Sequence, residues 1–247
     1  MKISLKQTKN NFLKQKWIDE FKYGLRQGTP IALGYIPVSF TFGLIAVKGG
    51  LPVWIPILIS LTNLTSAGQF AGTNLIISGA TLFEITVTTF VINIRYLLMS
   101  LSLSQKITPQ MPLYKKCAIA FGITDETFSV ASMEKQDLTF AYMSGLITGP
   151  FIGWVLGTAL GASICSVLPG SLQDSTGIAL YAMFIALIIP NAKKSLAALT
   201  VVIIAISLSS IFTWVPYINQ ISEGWGIIIA TMISCLIGAA LFPREDV

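Results

Sequence analysis

The sequence predicts an all-α polytopic membrane protein, on three observations. Apolar residues make up 53% of the chain and charged residues only 11%, against about 25% charged in an ordinary soluble domain. Mean hydropathy is +0.74. Residues 27–47, 49–83, 138–173, 195–222 and 224–243 carry no charge at all, and such runs reach the roughly 20 residues that a helix needs to cross hydrocarbon.

The first 23 residues, MKISLKQTKNNFLKQKWIDEFKY, have neither the apolar core nor the small-residue cleavage site of a signal peptide. Six lysines and one arginine of the sixteen basic residues precede Gln27. Beside a first span they orient the chain and meet anionic lipid, so the net charge of +5 does not imply nucleic acid. Residues 1–23 therefore read as a basic cytoplasmic tail, with room for an interfacial helix at its end. A single membrane domain over 24–243 and a short cytoplasmic C-terminus at 244–247 complete the expected organisation.

Apolar segments fall at 24–47, 51–80, 83–104, 113–133, 138–165, 177–191, 195–214 and 224–242. Positive-inside reasoning tests which of them cross. If 51–80 crossed once, the next span would deliver Lys106, Lys115 and Lys116 to the outside, against the rule. The conflict disappears if 51–80 is broken and re-entrant. Its letters suit that: LPVWIPILIS is too short to span, TNLTSAGQFAGT is small and polar, and NLIISGATL could be a second half-helix. Segment 113–133 is interrupted by Asp125 and Glu126 and reads the same way. The expectation is about six full transmembrane helices plus two broken segments, or seven or eight helices if those count as spans. Paired interrupted segments point to a transporter binding site, because half-helix ends present dipoles and free backbone groups to a ligand. Prolines 52 and 56 also allow a merely kinked span.

Gly145, Gly149, Gly153, Gly157 and Gly161 recur every fourth residue through LITGPFIGWVLGTALGA. They share one helix face, where another backbone can approach closely. Helix packing within the subunit is the plainer reading; a seam for a partner or a sliding surface between bundles is the sharper one. The three cysteines lie in apolar surroundings and imply no disulfide framework. The chain has no histidine, which removes zinc-protease motifs, haem ligation and histidine proton relays. No metal site and no cofactor is expected. With no GxSxG elbow, no Walker A loop, and Asp125 as the one aspartate embedded in an apolar segment, enzyme is the weaker class.

Arg95 lies 12 residues after Phe83 and 9 before Ser104, roughly 14–18 Å from either end of its span. Snorkelling would be incomplete, so its cation should face protein or water and be answered by an anion. Glu84 is about 16 Å away along the same helix, too far for a direct pair. Asp125 and Glu126 are the other candidates. Being consecutive, their side chains point about 100° apart on a helix. One could neutralise Arg95 while the other meets an ammonium group or a coupling proton; carboxylates reaching the cytoplasmic surface are the bland alternative. Thr86, Thr89, Asn93, Tyr96 and Ser100 form a second polar stripe on the Arg95 helix, on a different side from Arg95, which interhelical hydrogen bonding would explain in part.

GYIPVSFTFGL at 34–44, TSAGQFAG at 65–72, NIRYLLMS at 93–100 and GITDETFS at 122–129 together resemble the AzlC-type large subunit of bacterial branched-chain amino-acid exporters. The order and spacing agree over most of the first 130 residues. The resemblance implies proton-motive export of branched-chain amino acids, with methionine in some relatives, across the bacterial cytoplasmic membrane. It also implies a small hydrophobic AzlD-type membrane subunit as partner. The family motif's asparagine and arginine fall on Asn93 and Arg95, and its acidic pair on Asp125 and Glu126. Its Ser-Ala-Gln-Phe element is here Ser66-Ala67-Gly68-Gln69-Phe70, with an additional glycine.

A zwitterionic amino acid needs an anion-binding element, for which Arg95 and the backbone amides from Thr65 through Ser66 to Gln69 compete. It needs an ammonium acceptor, for which Asp125, Glu126, Asn93 or carbonyls of the broken helix serve. Tyr96 belongs to the same constellation, and Phe42 and Phe70 could supply an apolar pocket. A passive pore for small solutes and an intramembrane enzyme are the competing classes.

Overall fold

The computed structural model describes residues 2–165, 185, 188–189, 192–193, 195–216 and 220–242, with side chains from Lys14 onward except that of Glu223. These residues form α1 (Lys2–Lys48), α2 (Trp54–Thr62), α3 (Ser66–Ile77), α4 (Leu82–Ser104), α5 (Leu113–Phe121), α6 (Asp125–Met133), α7 (Phe140–Ile164), α8 (Leu196–Trp214) and α9 (Glu223–Leu241). Among the described residues there is no strand, only one isolated bridge between Ile107 and Leu138. The fold is all-α. Five of these helices are long and apolar enough to cross a membrane: the Lys14–Lys48 part of α1, then α4, α7, α8 and the Gly224–Leu241 part of α9. The apolar segment expected at 177–191 and the C-terminal residues 244–247 lie largely or wholly outside the described residues.

Both interrupted segments are broken, but the first break is shorter than the sequence suggests: SAGQFAGT, read as small and polar, is the first part of α3, which ends at Ile77. The first divides into α2 and α3 around residues 63–65, the second into α5 and α6 around 122–124. At 9 and 12 residues, then 9 and 9, each half is about 14–18 Å long and none alone spans about 30 Å of hydrocarbon.

The basic tail and the first span differ from the expectation in one respect: α1 is a single helix of 47 residues, with no interruption at Gly24. Nothing between Lys2 and Tyr23 is a glycine or proline, and Gln15–Asp19 and Lys16–Glu20 pairs at i,i+4 support that face. Pro30 and Pro37 lie inside the helix. Ser39 Oγ donates to Tyr35 O at 2.9 Å and Thr41 Oγ1 to Pro37 O at 3.0 Å around the second of them. Such back-bonding supplies local donors where a proline removes one.

Clustering of contacts separates two compact units, residues 1–69 with 93–168 and residues 70–92 with 169–247. In the first, α1 fills the glycine stripe of α7. A Cβ on Gly145 would collide with Phe21 O, on Gly157 with Ser39 Oγ and on Gly161 with Phe40 O. The fit is reciprocal, since Gly24, Gly28 and Gly43 of α1 meet the backbone of Tyr142, Leu146 and Thr158. Numbers rise together along both helices, so α1 and α7 are parallel. An odd number of crossings must therefore separate them. With α4 crossing once, either both broken segments cross or neither does.

The same unit buries Leu103, Ile119, Ala131, Leu138, Met143 and Leu146 around the junction of α4, α5, α6 and α7. Its polar end is tied by Leu138 N donating to Lys106 O at 2.8 Å and by Lys106 Nζ donating to the carbonyls of Ser132 and Glu134. In the second unit α8 packs beside α9, with Gly238 against Val201 and Gly226 against Phe212. No residue of α8 is buried, which suits a helix in contact with lipid.

Candidate functional site

The site grows from the N-terminus of α6. Thr124 is its N-cap, and Thr127 completes a capping box: Thr127 N donates to Thr124 Oγ1 at 3.3 Å, and Thr124 N donates to Thr127 Oγ1 at 2.8 Å. The threonines serve the free amides that would otherwise attract an acidic side chain. Asp125 and Glu126 are thereby left to reach other helices, in two directions as consecutive helical positions must. Asp125 Oδ2 pairs with Arg95 Nη2 of α4 at 3.0 Å. Glu126 Oε2 accepts from Tyr35 Oη of α1 at 2.5 Å, and that phenol also lies 2.8 Å from Thr124 Oγ1.

Arg95 is 37% exposed and Asp125 27%, so the pair sits at a half-buried position with access to solvent or ligand. Arg95 Nη2 also donates to Tyr96 Oη at 3.2 Å, and its guanidinium lies 5.0 Å from the Tyr96 ring centre. The two residues point to different sides of α4, yet the arginine stem is long enough to fold back across its neighbour. Arg95 Nε is buried and has no partner among the described residues. A buried donor left unpaired costs about 1–3 kcal/mol, and a ligand acceptor would relieve it.

The first break lies in the same unit. Thr65 Oγ1, Ser66 Oγ and Asn93 Oδ1 are likewise buried without partners among the described residues. Gly68 explains how they come together: a Cβ there would fall 2.5 Å from Asn93 Oδ1 and 2.7 Å from Thr65 Oγ1. The additional glycine of the 65–72 motif thus lets the Asn93 amide close on the first turn of α3. Unsatisfied hydroxyls, an amide oxygen and a helix N-terminus form a cradle suited to a small polar ligand.

Gln69 has a different position from the others. It is 2% exposed, and its amide is engaged on both sides. Trp154 Nε1 donates to Gln69 Oε1 at 2.7 Å, while Gln69 Nε2 donates to Asn63 O at 2.7 Å. Ser60 Oγ lies 3.5 Å from the same amide nitrogen and 2.8 Å from Thr158 Oγ1. Gln69 therefore fastens the broken segment to α7 and has no free polar atom to offer a substrate. Phe42 is fully buried in this unit; Phe70 is buried in the other.

Tyr35 and Trp154 were not among the sequence candidates. They stack edge to face with ring centres 5.1 Å apart. Through them Glu126 is joined to Gln69, and so one break to the other. Tyr35 does lie within GYIPVSFTFGL, and its place in that motif was the available signal. The polar stripe on α4 divides: Thr86 and Thr89 donate to Leu82 O and Ile85 O of their own helix at 2.7 Å each, so they do not bridge to a neighbour. Glu84 accepts from Ser222 and Gly224 in the second unit. A separate cavity of about 290 Å³ lies between α1 and the start of α7, walled by Asp19, Glu20, Glu134 and Asp137, and contains none of these residues.

The family model described as AzlC protein matches residues 30–168, the stretch that carries both breaks, Arg95 and the acidic pair. The chain belongs to the AzlC family. An uncharacterized membrane protein of Archaeoglobus fulgidus is 34% identical over 175 residues, 70% of this chain and 76% of that protein. Inner membrane protein YgaZ of Escherichia coli is 28% identical over 202 residues, 78% of this chain and 82% of that protein. An uncharacterized membrane protein of Helicobacter pylori is 23% identical over 185 residues, 73% and 79% of the two chains. No solved structure matches the chain. This AzlC-family chain is a membrane protein with several helices able to span the bilayer.

Proposed function

We propose that this AzlC-family protein is the large subunit of a secondary transporter that exports branched-chain amino acids, and methionine, across the cytoplasmic membrane. Two observations within one unit support the reading: the Arg95–Asp125 pair at 3.0 Å, and the side-chain atoms of Thr65, Ser66 and Asn93 and Arg95 Nε, which are buried without partners among the described residues. A free amino acid offers one carboxylate and one ammonium, and both kinds of complement are present. The carboxylate goes to Arg95 Nε and the amino end of α3, through Thr65 and Ser66. The ammonium goes to Asp125 and Asn93 Oδ1, with Tyr96 orienting the guanidinium. Glu126, held by Tyr35, takes the coupling proton. Gln69 is a positioning residue for the break.

The basic tail supports a cytoplasmic N-terminus, and Arg244 supports a cytoplasmic C-terminus. Residues 24–243 act as one transport domain. A small hydrophobic AzlD-type subunit completes the transporter in the lipid bilayer. The test is efflux of radiolabelled leucine, valine and methionine from proteoliposomes, with and without that subunit. Efflux accelerated by an imposed proton gradient and abolished in Arg95→Ala is the expected result. Flux indifferent to the gradient would make the protein a passive pore. A chemically altered solute, seen by mass spectrometry, would make it an enzyme.

A further inference from the structure

Glu84 is an acidic residue that the amino-acid site does not use. It is 6% exposed and lies in the first turn of α4. Ser222 Oγ donates to its Oε1 at 2.5 Å and Gly224 N donates to the same oxygen at 3.2 Å, at the start of α9. Among the described residues no lysine or arginine pairs with it. Within this unit, α8 and residues 70–77 of α3 carry no charge, and α9 carries only Glu223, beside Gly224 in the sequence. Among the described residues the carboxylate is balanced by hydrogen bonds and by the positive end of a helix rather than by a cation.

Two further observations indicate what binds there. Thr88, one turn beyond Glu84 on the same face, is fully buried, and its Oγ1 has no partner among the described residues. It reaches the same point as the carboxylate: a Cβ on Gly224 would fall 2.6 Å from Glu84 Oε1 and 2.8 Å from Thr88 Oγ1. Ser222 also lines a cavity of about 530 Å³ with Ser209, Phe212, Thr213 and Gly226, within the size range of ligand-accepting clefts.

We propose that Glu84 is a proton-binding site, filled from this cavity through the Ser222 hydroxyl, whose occupancy controls how firmly α9 is tied to α4. A hydronium ion in the cavity gives its excess proton to a lone pair of Ser222 Oγ, leaving water behind, while the Ser222 hydroxyl proton passes to Glu84. The serine O–H re-forms, the carboxylate becomes a carboxylic acid, and no other bond changes. The acid form has an acceptor waiting in Thr88 Oγ1, whereas the anion is served by Ser222 Oγ–H and Gly224 N–H. Protonation removes the strong acceptor that holds the first turn of α9.

Infrared difference spectroscopy on the purified full chain in lipid vesicles tests this without any transport assay. A pH change should produce carbonyl-stretch bands of protonated carboxyls, and Glu84→Gln should remove one component, the Glu84 band, while a component from Glu126 remains. At one fixed pH, Thr88→Val should lower the band several-fold by removing the acceptor of the acid. Ser222→Ala should raise it, by removing a donor to the anion, and should slow its appearance. Protection of the Gly224 amide, taken relative to its intrinsic exchange rate at each pH, should fall on acidification in the wild type and not in Glu84→Gln. A band unchanged in Glu84→Gln, or the same sign of change in Thr88→Val and Ser222→Ala, overturns the proposal and leaves Glu84 as a fixed cap of α9. If Glu84→Gln does not fold, the two hydroxyl variants decide the matter. If wild-type vesicles carry no amino acid, the transport reading fails while the band still decides this site.

Discussion

The two breaks in the helices are built on the same plan and finished in opposite ways. Each divides an apolar segment around three residues and starts the second half-helix beside a threonine, Thr65 or Thr124. At Thr124 the local polar groups answer one another through the Thr124–Thr127 box, and the charged residues that follow are spoken for by Arg95 and Tyr35. At Thr65 the hydroxyls of Thr65 and Ser66 and the facing Asn93 oxygen have no partner among the described residues. Buried polar groups are almost always hydrogen-bonded, so the exceptions call for an explanation. The closed break supplies fixed charge; the open one supplies unmet hydrogen-bonding capacity, which is where a ligand gains most.

The comparison breaks most severely at Arg95, the cation that answers the closed break through Asp125. Arg95→Ala removes the cation and strands Asp125 half-buried, and truncating one partner of a hydrogen-bonded charge pair costs about 2–5 kcal/mol. Efflux should fall on the order of 100-fold. Arg95→Lys should recover little of it, because an ammonium cannot reproduce the fork that serves Asp125 and Tyr96 while leaving Nε for a ligand. Efflux at wild-type rate in both variants would remove Arg95 from the site.

The open break is tested next by Gly68→Ala. The added methyl would fall 2.5 Å from Asn93 Oδ1 and 2.7 Å from Thr65 Oγ1, too close to be accommodated unless the Asn93 amide and Thr65 hydroxyl turn aside. It fills the cradle and displaces its polar ends without touching the Arg95–Asp125 pair. Efflux should drop roughly tenfold, about 1.4 kcal/mol, with the thermal midpoint little changed. An equal loss of stability would mean that Gly68 serves packing alone.

A smaller effect should follow Trp154→Phe, which leaves Gln69 Oε1 without its donor. The cost of such a buried unpaired acceptor is about 1–3 kcal/mol, and it should be seen chiefly as a lower thermal midpoint in detergent. Gln69→Leu in the same background should add little, since the two groups act as one unit. Additive losses would show that they are independent.

Much of this was legible in the sequence because it is local. Charge-free runs mark the membrane part of α1 and α7, α8 and α9, and the polar, small letters at 62–73 contain the first break. The four-residue glycine period marks the face that α1 occupies. Other features depend on residues far apart in the chain: Tyr35 meets Glu126 across 91 positions and Trp154 meets Gln69 across 85, and no local pattern encodes either. The continuity of α1 was hidden by a change of charge at Gly24 that resembles a boundary, although no helix breaker precedes it. Thr86 and Thr89 suggested bridges to neighbours, but a hydroxyl in apolar surroundings takes the carbonyl one turn behind it when that is the nearest acceptor. That Gln69 bonds Trp154 and Asn63 could not be read either, because polarity is legible in a sequence and its satisfaction is not.

The smallest expected effect belongs to the closed break. Thr127→Val keeps the shape of the side chain and removes the hydroxyl that accepts from Thr124 N and donates to Gly122 O at 3.0 Å. Loss of an N-terminal cap interaction costs typically about 1 kcal/mol. The last turn before Asp125 should loosen, while Asp125 and Glu126 keep their partners on α4 and α1. A modest fall in thermal midpoint with nearly unchanged efflux is therefore expected. If Thr127→Val instead impairs efflux as much as Gly68→Ala, then the aim of the two carboxylates depends on the cap, and the second break is as much a part of the binding site as the first.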